Sequence, residues 1–422
     1  MRCKQMNKLL FTLLLLATQG VAQDKLELIN KVYDPFIKTV QLYPVGLKSN
    51  AQLLSAAVPL RGNEQLVLEF DELFNDAFTY KVKYIRCDKD WKRSSLGDLE
   101  FLITYNEFTI HEYEYSFNTR TPYVHYKKLL PKPTLSGNYV MVVYADGDEN
   151  DIIISRRFLV FENRVVFTDQ YGFSGANNAS RFNQQLQFEI NYKGVSLQSP
   201  REQISVSILQ NQRWDIARTN LKPTFIRESD YKLEYRYFTE ETMFPGGNEF
   251  RFFDLRSIKY FGENVKTAHF EKDQIFTWIE DDKRKSEFAY STVLMDLNGQ
   301  YVIDNVEGYN PIIENDYSKV EFTLISPQIK GKVYIVGELN DWARNKDNAM
   351  TFNADLGAYK GSLILKQGWY NYQYIVESPT LPLNYFAGNW SATKNQYQII
   401  VYYRPYDLAS DLIIGYLDII PR

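Results

Sequence analysis

The chain has 422 residues, more than one hydrophobic core usually serves, so two to four domains are expected. Its formal net charge of −4, with both signs interspersed, argues against nucleic acid or an anionic membrane surface as the main partner. Tyr and Phe number 32 and 27, and flat rings favour pleated sheets, so the composition is that of a strand-rich protein.

The N-terminus has the order of a secretory signal peptide. Arg2, Lys4 and Lys8 precede an apolar run over 9–17, and Gly20-Val21-Ala22 supplies small residues for cleavage after Ala22. Cys3 lies upstream of the apolar run, away from the cleavage point. Cys87 is the only cysteine left after processing, so it cannot staple the fold and reads as a small buried apolar residue. No later apolar stretch reaches the roughly 20 residues of a membrane helix, so the mature chain is soluble or a barrel.

Strands follow in chain order. Residues 65–70 and 78–85 alternate, and 137–144 (GNYVMVVY) is an apolar run of the kind found where both faces are covered. A turn at Asp146-Gly147-Asp148 leads into 152–154 and 157–161. This first unit spans 23–163. A second, 164–315, carries strands at 185–190, 204–209, 248–254, 289–294 and 299–303. A third, 316–422, carries 319–324, 331–336, 361–365 and 369–376, with 397–403 closing its sheet. The expected fold is all-β, tandem immunoglobulin-like β-sandwich domains packed together.

The search for chemistry finds nothing specific. His111, His125 and His269 are scattered, with no partner at metal-ligand spacing. The acidic turn of Asp146, Asp148, Glu149 and Asp151 lacks the spacing of a calcium loop, and Asp281-Asp282 reads as an exposed turn. No nucleophile elbow or phosphate loop is present. The expectation is a protein without enzymatic activity, cofactor or metal.

Two resemblances add to this reading. Residues 333–342, ending Gly337-Glu338-Leu339-Asn340-Asp341-Trp342, together with 363–376, resemble the glycogen-binding, early-set immunoglobulin-like module. In that module the position of Trp342 can stack on sugar, although the family's Asp-Gly-x-Trp turn is replaced here by Glu377-Ser378-Pro379. The whole mature chain resembles the plug proteins of the Bacteroidetes type IX secretion system, through segments 32–44, 115–119, 136–139, 156–158, 210–215, 247–251 and 396–404. That resemblance implies a periplasmic protein at the outer membrane that docks on a very large translocon barrel and seals its pore. A secreted carbohydrate-binding protein acting through the third unit is the alternative, and an outer-membrane barrel is a third reading, against which the end at Pro421-Arg422 speaks. Aromatic and Arg anchors dominate interfaces, so Trp342, Trp390, Arg156, Arg157, Tyr113 and Tyr115 are the candidate partner or ligand contacts.

Overall fold

The computed structural model describes residues 26–46, 51–173, 182–237, 239, 242–285, 290 and 296–420. The signal segment with its cleavage point after Ala22, most of the strand expected over 289–294, and Pro421-Arg422 lie outside the described residues.

The fold is all-β, as composition and alternation require. Among the described residues one short α-helix, Pro200–Gln203, interrupts the strands. Among the described residues four sheets stack face to face, a ten-stranded sheet curls on itself beside them, and a two-stranded ribbon pairs Asn183–Gln184 with Phe244–Pro245. The outermost sheet orders Ile37–Val45, Gln65–Glu72, Val124–Leu129 and Glu112–Tyr115, so Glu112–Tyr115 is an edge. Its inner face packs Phe70, Val124 and Tyr126 against Tyr80, Val82, Tyr139, Met141 and Val143 of the second sheet, forming the first sandwich.

The second sheet is built around Tyr80–Cys87, Gly137–Ala145 and Ile152–Phe161. Side chains alternate across a strand, so while Tyr139, Met141 and Val143 face inward, Val140 and Val142 point the other way. There they meet Leu209, Ile400, Tyr402 and Ile413 of a third sheet. The run GNYVMVVY is therefore buried on both faces, as its continuous hydrophobicity predicts.

The third sheet orders Arg213–Leu221, Ile204–Gln210, Tyr397–Tyr403 and Leu412–Ile419. Its other face packs Val206, Ile208, Ile399 and Val401 on Phe188, Ile190, Leu233 and Tyr235 of the fourth sheet. Pairing here crosses the expected division at 315/316. Residues 397–403 do not close the sheet of the third unit; Ile204 lies opposite Tyr403 and Gln210 opposite Tyr397. Likewise Arg251–Asp254, read as part of the middle unit, pairs with Gly368–Glu377. The alternation of these strands fixes which face is apolar but carries no information about which distant strand lies alongside.

The fifth sheet has ten strands between Arg251–Asp254 and Gly368–Glu377 in the chain, and it curls around Phe253, Val320, Phe322, Ile335, Tyr370 and Tyr372. This body is thus inserted between two strands of the second sandwich. Its entry and exit run side by side, with Trp390 N–H donating to Gly247 O at 2.7 Å.

Candidate partner-binding surface

The inserted body sits against the outer face of the first sheet. Asp71, on Gln65–Glu72, points from that face into the contact and is buried. Lys366 Nζ donates to Asp71 Oδ2 at 2.7 Å and to Ile312 O at 2.6 Å, and lies 4.2 Å from the ring centre of Tyr123. Tyr317 O–H donates to the same Asp71 oxygen at 2.6 Å, and His125 Nδ1 lies 2.7 Å from the other. Burial alone would raise the Asp71 carboxyl, but the Lys366 ammonium and the His125 hydrogen bond hold it below its ordinary range. Arg120 N–H donates to Asp316, and Phe117 N–H to Ile313 O at 2.8 Å, so hydrogen bonds recur along the contact beside the Tyr123–Tyr317 ring pair, whose centres are 5.4 Å apart.

The six candidate residues separate into two groups. Four are engaged inside the molecule. Arg156 is buried and pairs with Asp341 at 3.0 Å, joining the first sandwich to the inserted body. Arg157 stacks 4.2 Å from the ring centre of Trp91, and its Nε donates to Leu28 O at 2.7 Å. Trp342 has the Arg213 guanidinium 3.9 Å from its ring centre, so that ring face is not open to a sugar. Gly299, at φ +86°, makes room for it, since a Cβ there would sit 2.5 Å from the indole. Asp341 and Trp342 both hold positive φ, 55° and 58°, a conformation that costs about 1–3 kcal/mol per residue and needs such surroundings. Trp390 is half-buried at the crossing point of the chain.

Tyr113 and Tyr115 are different. They stand 46% and 53% exposed on the edge strand, their rings 5.9 Å apart. A second exposed apolar group is the loop carrying Leu99, Ile103 and Tyr105, exposed by 83%, 86% and 78%. Phe101 and Leu102, both buried, pin that loop to the first core. Neither the loop nor Asp71 is among the residues singled out in the sequence, where His125 enters only as one of three scattered histidines. Exposure of the loop has no periodic signature, and Asp71 differs from any strand carboxylate only through a lysine distant in the chain.

For chemistry the surroundings are poor. Burial pushes the Cys87 thiol up to about 12, so it stays protonated at neutral pH. Asp282, expected in an exposed turn, instead accepts from Tyr372 and Tyr374 at 2.6 and 2.7 Å and pairs with Arg251. Among the described residues no three His, Cys, Asp or Glu side chains gather as a metal site.

Comparison with known proteins follows the same outline. No curated protein matches the chain. A crystal structure of a hypothetical protein from Parabacteroides merdae is 30% identical, covering 94% of this chain and 100% of that one, with a TM-score of 0.86. Residues 37–162, which hold nearly all of the first sandwich, match the family described as the type 9 secretion system plug protein 1st domain. The chain therefore belongs to the type IX secretion system plug protein family.

Proposed function

We propose that this protein is a periplasmic plug subunit that docks on the outer-membrane type IX translocon and seals its pore, acting by occupying a surface rather than by catalysis. The observation that carries the reading is the family match over the first sandwich, residues 37–162. The architecture supports it. Four stacked sheets with continuous cores make a thick, stiff body, and close-packed interiors resist deformation. Exposed large apolar side chains stand on anchored elements of the matched domain, where they could meet a partner.

The test is recovery of the partner. Tagged mature protein, retrieved from detergent-solubilised outer membrane, is expected to bring down a very large barrel subunit. Recovery of the protein alone under conditions that keep the barrel soluble would overturn the docking. Cells lacking the protein are further expected to admit large antibiotics when no substrate is passing; unchanged permeability would remove the sealing role.

A further inference from the structure

The edge strand Glu112–Tyr115 carries a feature that the family assignment does not use. It pairs with Val124–Leu129 on one side, and among the described residues no strand lies on the other. In an antiparallel pair, opposed residues alternate between those that exchange hydrogen bonds and those whose N–H and C=O point away. Ser116 N–H donates to Tyr123 O at 2.8 Å, which makes 116 and 123 a bonded pair. The alternation then makes 114 with 125, and 112 with 127, bonded pairs as well. Tyr113 and Tyr115 consequently direct their backbone N–H and C=O outward, away from the sheet.

The next outward position in the row is Phe117, and its N–H is already taken by Ile313 O from the inserted body. The edge thus receives a neighbouring chain at one end and is open at 113 and 115. Side chains sort by face in the same stretch. Tyr113 and Tyr115 lie opposite Tyr126 and Val124, core residues of the first sandwich. Glu112 and Glu114 lie opposite Lys127 and His125 on the other face. Both glutamates are exposed, whereas Lys127 and His125 turn to Glu69 and Asp71.

We propose that Glu112–Tyr115 is a β-addition site for an extended segment of a partner in which basic and apolar residues alternate. The segment's backbone bonds to Tyr113 and Tyr115, its Lys or Arg side chains lie beside Glu112 and Glu114, and its apolar ones cover the two tyrosine rings. Alternation on the edge dictates alternation in the occupant, because directly opposed residues share a face. This goes beyond the translocon reading and does not depend on it.

The experiment uses the full mature protein and a synthetic peptide of repeated Lys-Val. Amide exchange at Tyr113 and Tyr115, fast in the free protein, is expected to slow on addition of the peptide. Reversing charge with Glu112→Lys and Glu114→Lys, at exposed positions that leave the fold intact, is expected to weaken binding by about tenfold or more. The same peptide methylated on its backbone nitrogens keeps its charges, has no N–H to donate to the Tyr113 and Tyr115 carbonyls and is held off the edge by its methyl groups, and is expected not to bind. Absence of binding by the unmodified peptide overturns the proposal. So does equal binding of the methylated peptide, or binding without protection of 113 and 115. Should the charge-reversed protein lose the peptide yet still bring down the barrel, the edge site and the translocon contact are separate surfaces.

Discussion

The two contacts made by the first sandwich differ in kind. Against the second sandwich it presents Ile85, Val140, Val142 and Leu159, which close on Leu209, Ile400, Tyr402 and Ile413 as a core in their own right. Phe161 stacks on Tyr416 at 4.7 Å, and polar contacts frame this core: Arg86 donates to Ser410 and to Asp411 O, Tyr402 donates to Asn138, and Arg404 pairs with Asp88. Against the inserted body it presents Asp71, Arg120, Gln52 and Arg156, held by Lys366, Asp316, Ile303 and Asp341. No hydrophobic cluster of the described residues spans that second contact.

Apolar burial is non-directional and tolerates small shifts, whereas a buried ion pair stabilises only at one geometry. The first contact therefore fuses two sandwiches into one block. The second fixes the register of a body that is tied to the rest by two adjacent chain crossings. A plug needs the block for bulk, and the polar contact gives its third part a single defined seat.

Breaking the polar contact should have the largest effect. Asp71→Ala leaves the Lys366 ammonium buried without its partner, and a loss of about 3–5 kcal/mol in denaturant unfolding is expected. Adding Lys366→Met should restore most of it; if the double variant is as unstable as the single one, the charge pair is not what matters. The pH dependence has a defined sign. The folded Asp71 carboxyl is held below its unfolded value, so its contribution is present above about pH 4 and is lost as pH falls through the folded value.

In the apolar contact, Ile400→Ala should cost about 2–4 kcal/mol through lost burial and a cavity. The loss should be the same at neutral and acid pH, while that of Asp71→Ala should shrink at acid pH, where protonation of the carboxyl breaks the pair in the parent protein as well. Equal losses at both pH values would erase the distinction between the two contacts.

A subtler probe is Glu338, which lies beside the Arg156–Asp341 pair. Burial, reinforced by the neighbouring Asp341 carboxylate, pushes its carboxyl up to about 8. The folded state then holds a proton that the unfolded state releases above about pH 4, so stability falls as pH rises through that window. Glu338→Gln should stabilise the protein at pH about 8 and do nothing near pH 4, as read from thermal midpoints. The smallest effect is expected from Arg213→Ala, which removes a cation–π contact with Trp342 worth about 0.5–2 kcal/mol. Trp342 fluorescence should report its new exposure to quencher.

Much of this is legible in the sequence alone. Strands at 65–70, 137–144, 204–209 and 369–376 lie where alternation or continuous hydrophobicity puts them, and the two-faced burial of GNYVMVVY follows from its lack of polar positions. What was not legible is pairing between segments far apart in the chain. Tyr397–Tyr403 beside Ile204–Gln210 follows from a path that sends the inserted body out and back, and a strand's own residues do not record its neighbour. The candidate contacts divide by the same logic. An arginine pair inside an apolar strand looks the same whether it faces water or, as at Arg156, a carboxylate supplied by another body. Tyr113 and Tyr115 stand exposed because their strand is the last in its sheet, a property of sheet order alone.

Pore closure, as proposed for this body, has a direct readout in conductance. The purified type IX translocon barrel would be placed in a planar bilayer and its current recorded before and after the mature protein is added to the periplasmic side. A large open-pore current that falls to baseline on addition is expected. A current that stays unchanged while the protein is demonstrably bound would contradict it.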